Sequence, residues 1–336
     1  MTQQFQLSDR TKRIIAVAAG VPAVGFAGYT AVSHLYYRRS DTATASEIYN
    51  RVTANKKKMA DAVEWDNYIL QRAEANEQRY SLPLLASFKV PVEDLDVAGM
   101  QAIVLNRRNL NDRCVLYLHG TCLLDQPSVY HWRFLDELAR RTRAEVVVPL
   151  YPQAPVHTHE EAYAAVERIY RHALEKYGAE ATTLMGDCSG GGLAAGFCQT
   201  LPQLDLPQPQ HLVLVSPWLD ATLRNPDVVP MEVVDPMFST YGLRKVAHTW
   251  AHGTDMDDAR LSPINGPVRC LRNVTVLTGT REVFHPDAVL FQMRCRAAGV
   301  HAELFEGTGL NANYPMYPIP EAKRGIEQIV TAVDAD

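Results

Sequence analysis

Short apolar runs recur along this chain at regular intervals. Cys114-Val115-Leu116-Tyr117-Leu118, Val146-Val147-Val148, Leu212-Val213-Leu214-Val215 and Val274-Thr275-Val276-Leu277 are apolar at nearly every position. That is the pattern of strands covered on both faces of a sheet. Between them, Trp132, Leu135 and Leu138, and then Ala162, Val166, Ile169 and Ala173, repeat at helical spacing. Residues 291–298 and the set Ile326, Ile329, Val330 and Val333 predict two further helices, with a strand over 302–305 between them. Strands alternating with helices predict right-handed crossovers and a mainly parallel central sheet flanked by helices, the α/β class. Upstream, Phe88, Val90 and Val92 alternate with polar residues, and a second short run, 100–105, follows Gly99. These predict an antiparallel edge pair.

Three stretches break that rhythm. Residues 14–37 are an apolar run without charge, preceded by Lys12 and Arg13 and followed by Arg38 and Arg39. About 20 apolar residues cross a bilayer as a helix, so the run predicts an N-terminal membrane anchor. A cleaved signal, leaving a secreted protein, is the second reading, and basic residues at both ends leave the orientation unread. Residues 46–78 contain no Gly or Pro and place Ile48, Val52, Met59, Val63, Ile69 and Leu70 at roughly helical spacing. They predict one or two amphipathic helices, an arm lying over a site as a lid or spacing the anchor from the body. Residues 219–265 hold Pro226, Pro230 and Pro236 with little strand pattern and predict an inserted cap. The chain thus divides into an anchor or signal (1–40), a helical arm (41–82) and a body (83–336) carrying the cap.

Composition adds little and excludes something. At 47% hydrophobic and 21% charged, with a net charge of −5, the 336 residues suffice for a large core and carry no sign of nucleic-acid binding. The one uninterrupted basic triplet, Lys56-Lys57-Lys58, reads as a solvated helix face. The six cysteines lie scattered in apolar stretches and read as free thiols, with no zinc spacing; no metal or organic cofactor is implied.

The chemistry centres on residues 182–192, Thr-Thr-Leu-Met-Gly-Asp-Cys-Ser-Gly-Gly-Gly. An apolar strand breaks at Gly186, turns within a few residues and enters a helix. This is a nucleophile elbow, a strained turn holding a reactive side chain at its tip. Gly186 and Gly190 stand two before and two after Cys188, so Cys188 is the tip; Ser189 is not framed that way, because Asp187 stands two before it. The free N–H groups at the helix start can hold an anion there.

From residue 83 onward the chain resembles the α/β-hydrolase fold, specifically the bacterial hormone-sensitive-lipase-like carboxylesterases. Six segments in order carry the resemblance: Tyr117-Leu118-His119-Gly120-Thr121-Cys122 to the oxyanion segment, Tyr151-Pro152-Gln153-Ala154-Pro155-Val156-His157 to the stretch after the next strand, and the elbow. Ser216-Pro217-Trp218-Leu219-Asp220, the acid loop Gly279-Thr280-Arg281-Glu282 with Pro286-Asp287-Ala288, and Asn311-Ala312-Asn313-Tyr314-Pro315 complete it. The resemblance implies a small-molecule ester or apolar ligand and hydrolysis through an acyl-enzyme: nucleophile at 188, acid at Glu282, histidine at 312, with backbone donors at Gly120, Thr121 and Ser189.

Three residues depart from that pattern. Cys188 replaces serine, and a thiolate is itself a nucleophile. Thr121 replaces a glycine, crowding the oxyanion segment with a branched side chain. Ala312 replaces the histidine, and a methyl group neither accepts nor delivers a proton; removing the base costs about a million-fold in a serine protease. His285, three residues beyond Glu282, is the nearest substitute in sequence; His119 and His157 read as structural, and His131, His159, His252 and His301 lack motif context. Asp287 reads as a helix N-terminal acid and Asp187 as a turn acid. Two functions follow as expectations. One is an esterase homologue with ordinary serine carboxylesterase turnover lost or very weak. The other is an ester hydrolase or acyltransferase using Cys188 with a substitute base.

Overall fold

The computed structural model describes residues 28–53, 55–108 and 112–335. A π-helical turn, Val32–Tyr36, leads into three arm helices, α1 (Asp41–Thr53), α2 (Lys56–Ala60) and α3 (Ala62–Glu77). Asp61 starts α3 by accepting from the N–H groups of Val63 and Glu64, two of the donors a helix start leaves unpaired. The body then runs β1 (Val92–Val97), β2 (Met100–Leu105), β3 (Cys114–Leu118), α4 (Val129–Thr142), β4 (Glu145–Pro149) and α5 (His159–Tyr177). It continues with β5 (Thr182–Asp187), α6 (Cys188–Thr200), β6 (His211–Val215), α7 (Val228–Val234) and α8 (Thr240–Ala251). β7 (Val274–Gly279), α9 (His285–Ala297), β8 (Ala302–Gly307) and α10 (Ala322–Asp334) close it.

Among the described residues eight strands form one sheet in the order β1-β2-β4-β3-β5-β6-β7-β8. β1 pairs antiparallel with β2, and β2 with β4; every other pair is parallel. This is the expected α/β architecture with its antiparallel edge. The alternation at Phe88 and Val90, however, is not strand. The Lys89 and Val90 N–H groups donate to Asp136 Oδ1 on α4, and Phe88 packs edge-on against Trp132. A side-chain carboxylate has taken the donors that a strand would give to its neighbour.

Helices cover both faces. Trp132, Leu135 and Leu138 of α4 and Ile329 and Val333 of α10 pack on one side with Val115, Val146 and Val213. Val166 and Ile169 of α5, Ala194 and Phe197 of α6 and Phe291 of α9 pack on the other with Leu116, Leu184 and Leu214. Period-two burial of the strands feeds both layers, which is why these runs are apolar throughout.

The arm lies on the body. Trp65 Nε1 donates to Gly242 O of α8 at 3.0 Å, and Asn76 Nδ2 donates to Leu124 O and Ala154 O at 2.8 and 2.9 Å. Buried Arg39 donates to Glu47 Oε2 and Gly309 O, both at 2.6 Å, and Arg281 reaches the same Glu47 carboxylate at 3.1 Å. The start of the arm is therefore tied to the loops that follow β7 and β8. Of the apolar run 14–37, residues 14–27 lie outside the described residues. In the remainder Ser33 is buried and Tyr29 Oη donates to Asp41 O at 2.6 Å, while Leu35 and Tyr36 are exposed. No helix among the described residues is long and apolar enough to cross a membrane.

The elbow depends on close approach. A Cβ on Gly190 would overlap the Leu118 carbonyl oxygen, and one on Gly186 the Gly190 carbonyl. Gly190→Ala is expected to lose about 2–3 kcal/mol in denaturant unfolding, the usual scale of overpacking against backbone. An unchanged midpoint would show that α6 does not sit this close to β3.

Candidate active site

β5 delivers Asp187, and α6 begins at Cys188 with φ +46°. A non-glycine residue held there is strained, the mark of an elbow tip. Cys188 lies on the wall of a cavity of about 430 Å³. Met59 and Trp65 from the arm and Met237 and Phe238 from the cap border it, as do Gly120, Thr121, Cys122 and Tyr317. The arm and the 219–265 insertion thus build the cavity together. The Cys122 thiol faces that of Cys188; this contact, then burial, then the Asp187 charge push the Cys188 thiol well above its usual pKa, against the Ser189 N–H. Cys188 therefore rests as a thiol, not as the nucleophilic thiolate.

The oxyanion segment is held from below by Asp187. Its buried carboxylate accepts from Tyr117 Oη at 2.6 Å, Gly120 N at 2.7 Å and Asn313 Nδ2 at 2.9 Å. The Gly120 N–H is thereby spent and does not face a ligand, contrary to its expected role as an oxyanion donor. Thr121 N–H turns to Ser189 Oγ at 3.3 Å, as does Leu123 N–H at 3.2 Å. The Thr121 hydroxyl donates to Asp125 O within its own loop. The Ser189 N–H faces the sulfur. Sequence reasoning missed Cys122: among the described residues its N–H meets no protein acceptor, and the residue borders the cavity. The signal was Asp187, whose carboxylate consumes the first donor and shifts the free one along the segment.

Glu282 is fully buried. It accepts from Thr278 Oγ1 at 2.6 Å, Ser216 Oγ at 2.9 Å and Gly279 N at 3.1 Å. Burial pushes its pKa up to about 8 despite those donors. Ser216 Oγ also accepts from Asn313 N at 2.8 Å, so one hydroxyl bridges the acid to the loop carrying buried Ala312. The fold keeps positions 188, 282 and 312 on connected loops at the ends of β5, β7 and β8, and 312 brings a methyl.

His131 Nε2 lies 3.4 Å from Asp187 Oδ2. His131 borders the cavity, but its Nδ1 accepts from Ser128 N at 3.1 Å, which leaves the proton on Nε2, donated to Gly120 O at 3.0 Å. His285 Nε2 pairs with Glu306 Oε1 at 2.7 Å and does not border the cavity. His119 stacks on Tyr151, and complete burial lowers its pKa well below the usual value. His157 pairs with Glu161 at 3.0 Å, and His159 faces Trp250 O. Asp287 stands in the first turn of α9, bonded by Asn225 Nδ2, with burial raising its pKa to about 6. Among the described residues no three His, Cys, Asp or Glu side chains cluster to hold a metal.

The chain belongs to the α/β hydrolase fold family, whose profile matches residues 115–315. An esterase of Acinetobacter venetianus is 26% identical over 255 residues, covering 74% of this chain and 84% of that protein. Among solved structures, a protein of Staphylococcus aureus proposed to be an esterase is 33% identical with a TM-score of 0.79, covering 82% of this chain and 94% of its own. An esterase of the bacterial hormone-sensitive lipase family shares the fold at 23% identity, with a TM-score of 0.71 and coverage of 82% and 98%.

Glu282 also makes stability depend on pH. The folded state holds its proton up to about pH 8, whereas the unfolded carboxyl releases it near its ordinary value of 4.5. The native state then binds more protons, so this contribution is complete below the unfolded pKa and declines as pH rises through about 8. Glu282→Gln, which imitates the protonated form, is expected to flatten that decline in unfolding experiments across the window. Parallel curves for the two proteins would contradict a protonated Glu282.

Proposed function

We propose that this chain is a hormone-sensitive-lipase-like esterase scaffold that keeps an ester-binding cavity and has lost ordinary carboxylesterase turnover. The observation that carries the reading is the methyl of Ala312 on the loop bridged to Glu282 through Ser216. An elbow nucleophile must shed its proton as it attacks the acyl carbon, and that proton must reach the leaving alcohol. Here Cys188 holds its proton, Glu282 is occupied by Thr278, Ser216 and Gly279, and the one imidazole on the cavity wall has both nitrogens engaged. Binding survives that loss, because the apolar wall formed by Met59, Trp65, Met237 and Phe238 does not depend on proton transfer. The ligand class is a small ester or another apolar molecule with one polar end directed to the Cys122 N–H. The alternative, thiol-based hydrolysis or acyl transfer from Cys188, needs a base that this arrangement does not supply. The apolar run 14–37 holds the chain at a membrane in this reading.

Restoring the replaced residues tests the proposal. The wild-type chain is expected to hydrolyse p-nitrophenyl butyrate at close to background rate. Ala312→His with Cys188→Ser, and then Thr121→Gly, should raise kcat/KM by on the order of 1000-fold or more, since the base and nucleophile act as a unit. Enzyme-like turnover by the wild-type chain, abolished by Cys188→Ala, would overturn it in favour of the thiol hydrolase.

A further inference from the structure

Helix α1 is inside out. Its polar residues Thr44, Glu47 and Asn50 are buried, Glu47 among Arg39, Arg51 and Arg281. Its outward stripe is Ala45, Ile48, Tyr49 and Val52, with Val52 80% exposed. Residues at i, i+3, i+4 and i+7 form one face of a helix, so this is a continuous apolar strip turned to solvent. α7 extends it. Arg51 Nη2 donates to Val234 O and Lys56 Nζ to Asp235 O, which sets the end of α1 and the start of α2 against α7, where Val229 and Val233 are 68% and 76% exposed. At the other end, Leu35 and Tyr36 of the π-helical turn stand out, at 80% and 77%.

We infer that this face, formed by α1, α7 and the Val32–Tyr36 turn, docks on an anionic lipid surface. The charge around it fits that occupant. Arg38, Lys57 and Lys58 are exposed at its margins. The acids of the two helices are engaged within the protein: Glu47 is buried, Asp41 receives the Thr30 hydroxyl, and Glu232 receives the N–H and hydroxyl of Thr240. An apolar stripe with a basic rim binds at the headgroup boundary through buried area and attraction to anionic lipid. The adjoining sequence points the same way. Tyr29 Oη ties the turn to Asp41 O, Ser33 Oγ donates back to Tyr29 O within it, and Arg39 and Arg281 clasp the Tyr37 ring. Residues 14–27, outside the described residues, add fourteen uncharged positions to the sequence that leads into this turn. An uncharged, largely apolar sequence leading into an apolar, base-rimmed face suits a protein held at a bilayer. This goes beyond the cavity reading and stands whether or not the cavity turns over esters. Because Asn55, between α1 and α2, borders the cavity, the docked face also sets that edge of the cavity near the lipid.

The test uses the full chain and sedimentation with vesicles of phosphatidylcholine containing about 30% phosphatidylglycerol. Ile48→Asp with Val52→Asp is expected to lower the partition coefficient roughly tenfold or more, the scale for withdrawing two aliphatic side chains from lipid. Leu84→Asp with Leu85→Asp, equally exposed on the turn before β1, should leave it unchanged. Hydrogen exchange on the wild-type chain should slow at residues 45–53 and 229–234 when vesicles are added. Equal partitioning of the α1 variant, or unchanged exchange in those segments, overturns the inference. So does a vesicle-free dimer that the α1 variant dissolves, which would make the face a contact between two copies of the chain.

Discussion

A single buried carboxylate organises the site. Asp187 receives Tyr117 Oη from β3, the Gly120 N–H from the oxyanion segment and Asn313 Nδ2 from the loop of position 312. A charge buried at such cost persists only where donors surround it. Those donors come from three separate segments, so satisfying Asp187 fixes their relative positions. The elbow tip, the oxyanion segment and the loop after β8 hold their relation because they share this one acceptor. Ser189 Oγ adds a second tie from α6 to the same segment through Thr121 and Leu123.

In the reading proposed above, the scaffold around the chemistry is kept while the proton path through it is lost. Every group that would steady an imidazole at position 312 is present: Glu282 with its three donors, and Ser216 bridging acid to loop. Without the imidazole, Glu282 is a buried acid facing only neutral donors, and it keeps its proton to about pH 8. The Cys188 thiol faces Cys122 and the Asp187 charge, with the Ser189 N–H acting against them. Preorganisation of binding and competence for proton transfer are separable, and the proposed function rests on their separation here.

Much of this was legible in the sequence. The runs at 114–118, 146–148, 212–215 and 274–277 named the parallel strands because a strand covered on both faces has no polar side to disguise it. The glycines at 186 and 190 named Cys188 as the tip because only small residues permit that approach, and the φ of +46° at Cys188 agrees. What stayed hidden were contacts between distant segments. Phe88 and Val90 read as a strand because the claim of Asp136 on the Lys89 and Val90 N–H groups comes from 47 and 46 residues away. Gly120 read as a donor to ligand because nothing local shows that Asp187 takes its N–H. The arm could be placed as an amphipathic helix from its periodicity, but not the way it faces: the partners that bury Glu47 and leave Ile48 and Val52 outward include Arg39 and Arg281, the latter 234 residues away.

The central claim is that no base serves the sulfur at the elbow. The most direct measurement is the rate at which iodoacetamide alkylates Cys188 as a function of pH, followed at that residue by peptide mass spectrometry. The account predicts slow labelling at neutral pH that climbs steadily into the alkaline range, the behaviour of an isolated buried thiol. Fast labelling with a plateau already reached by about pH 6–7, the signature of a thiolate paired with an imidazolium, would contradict it.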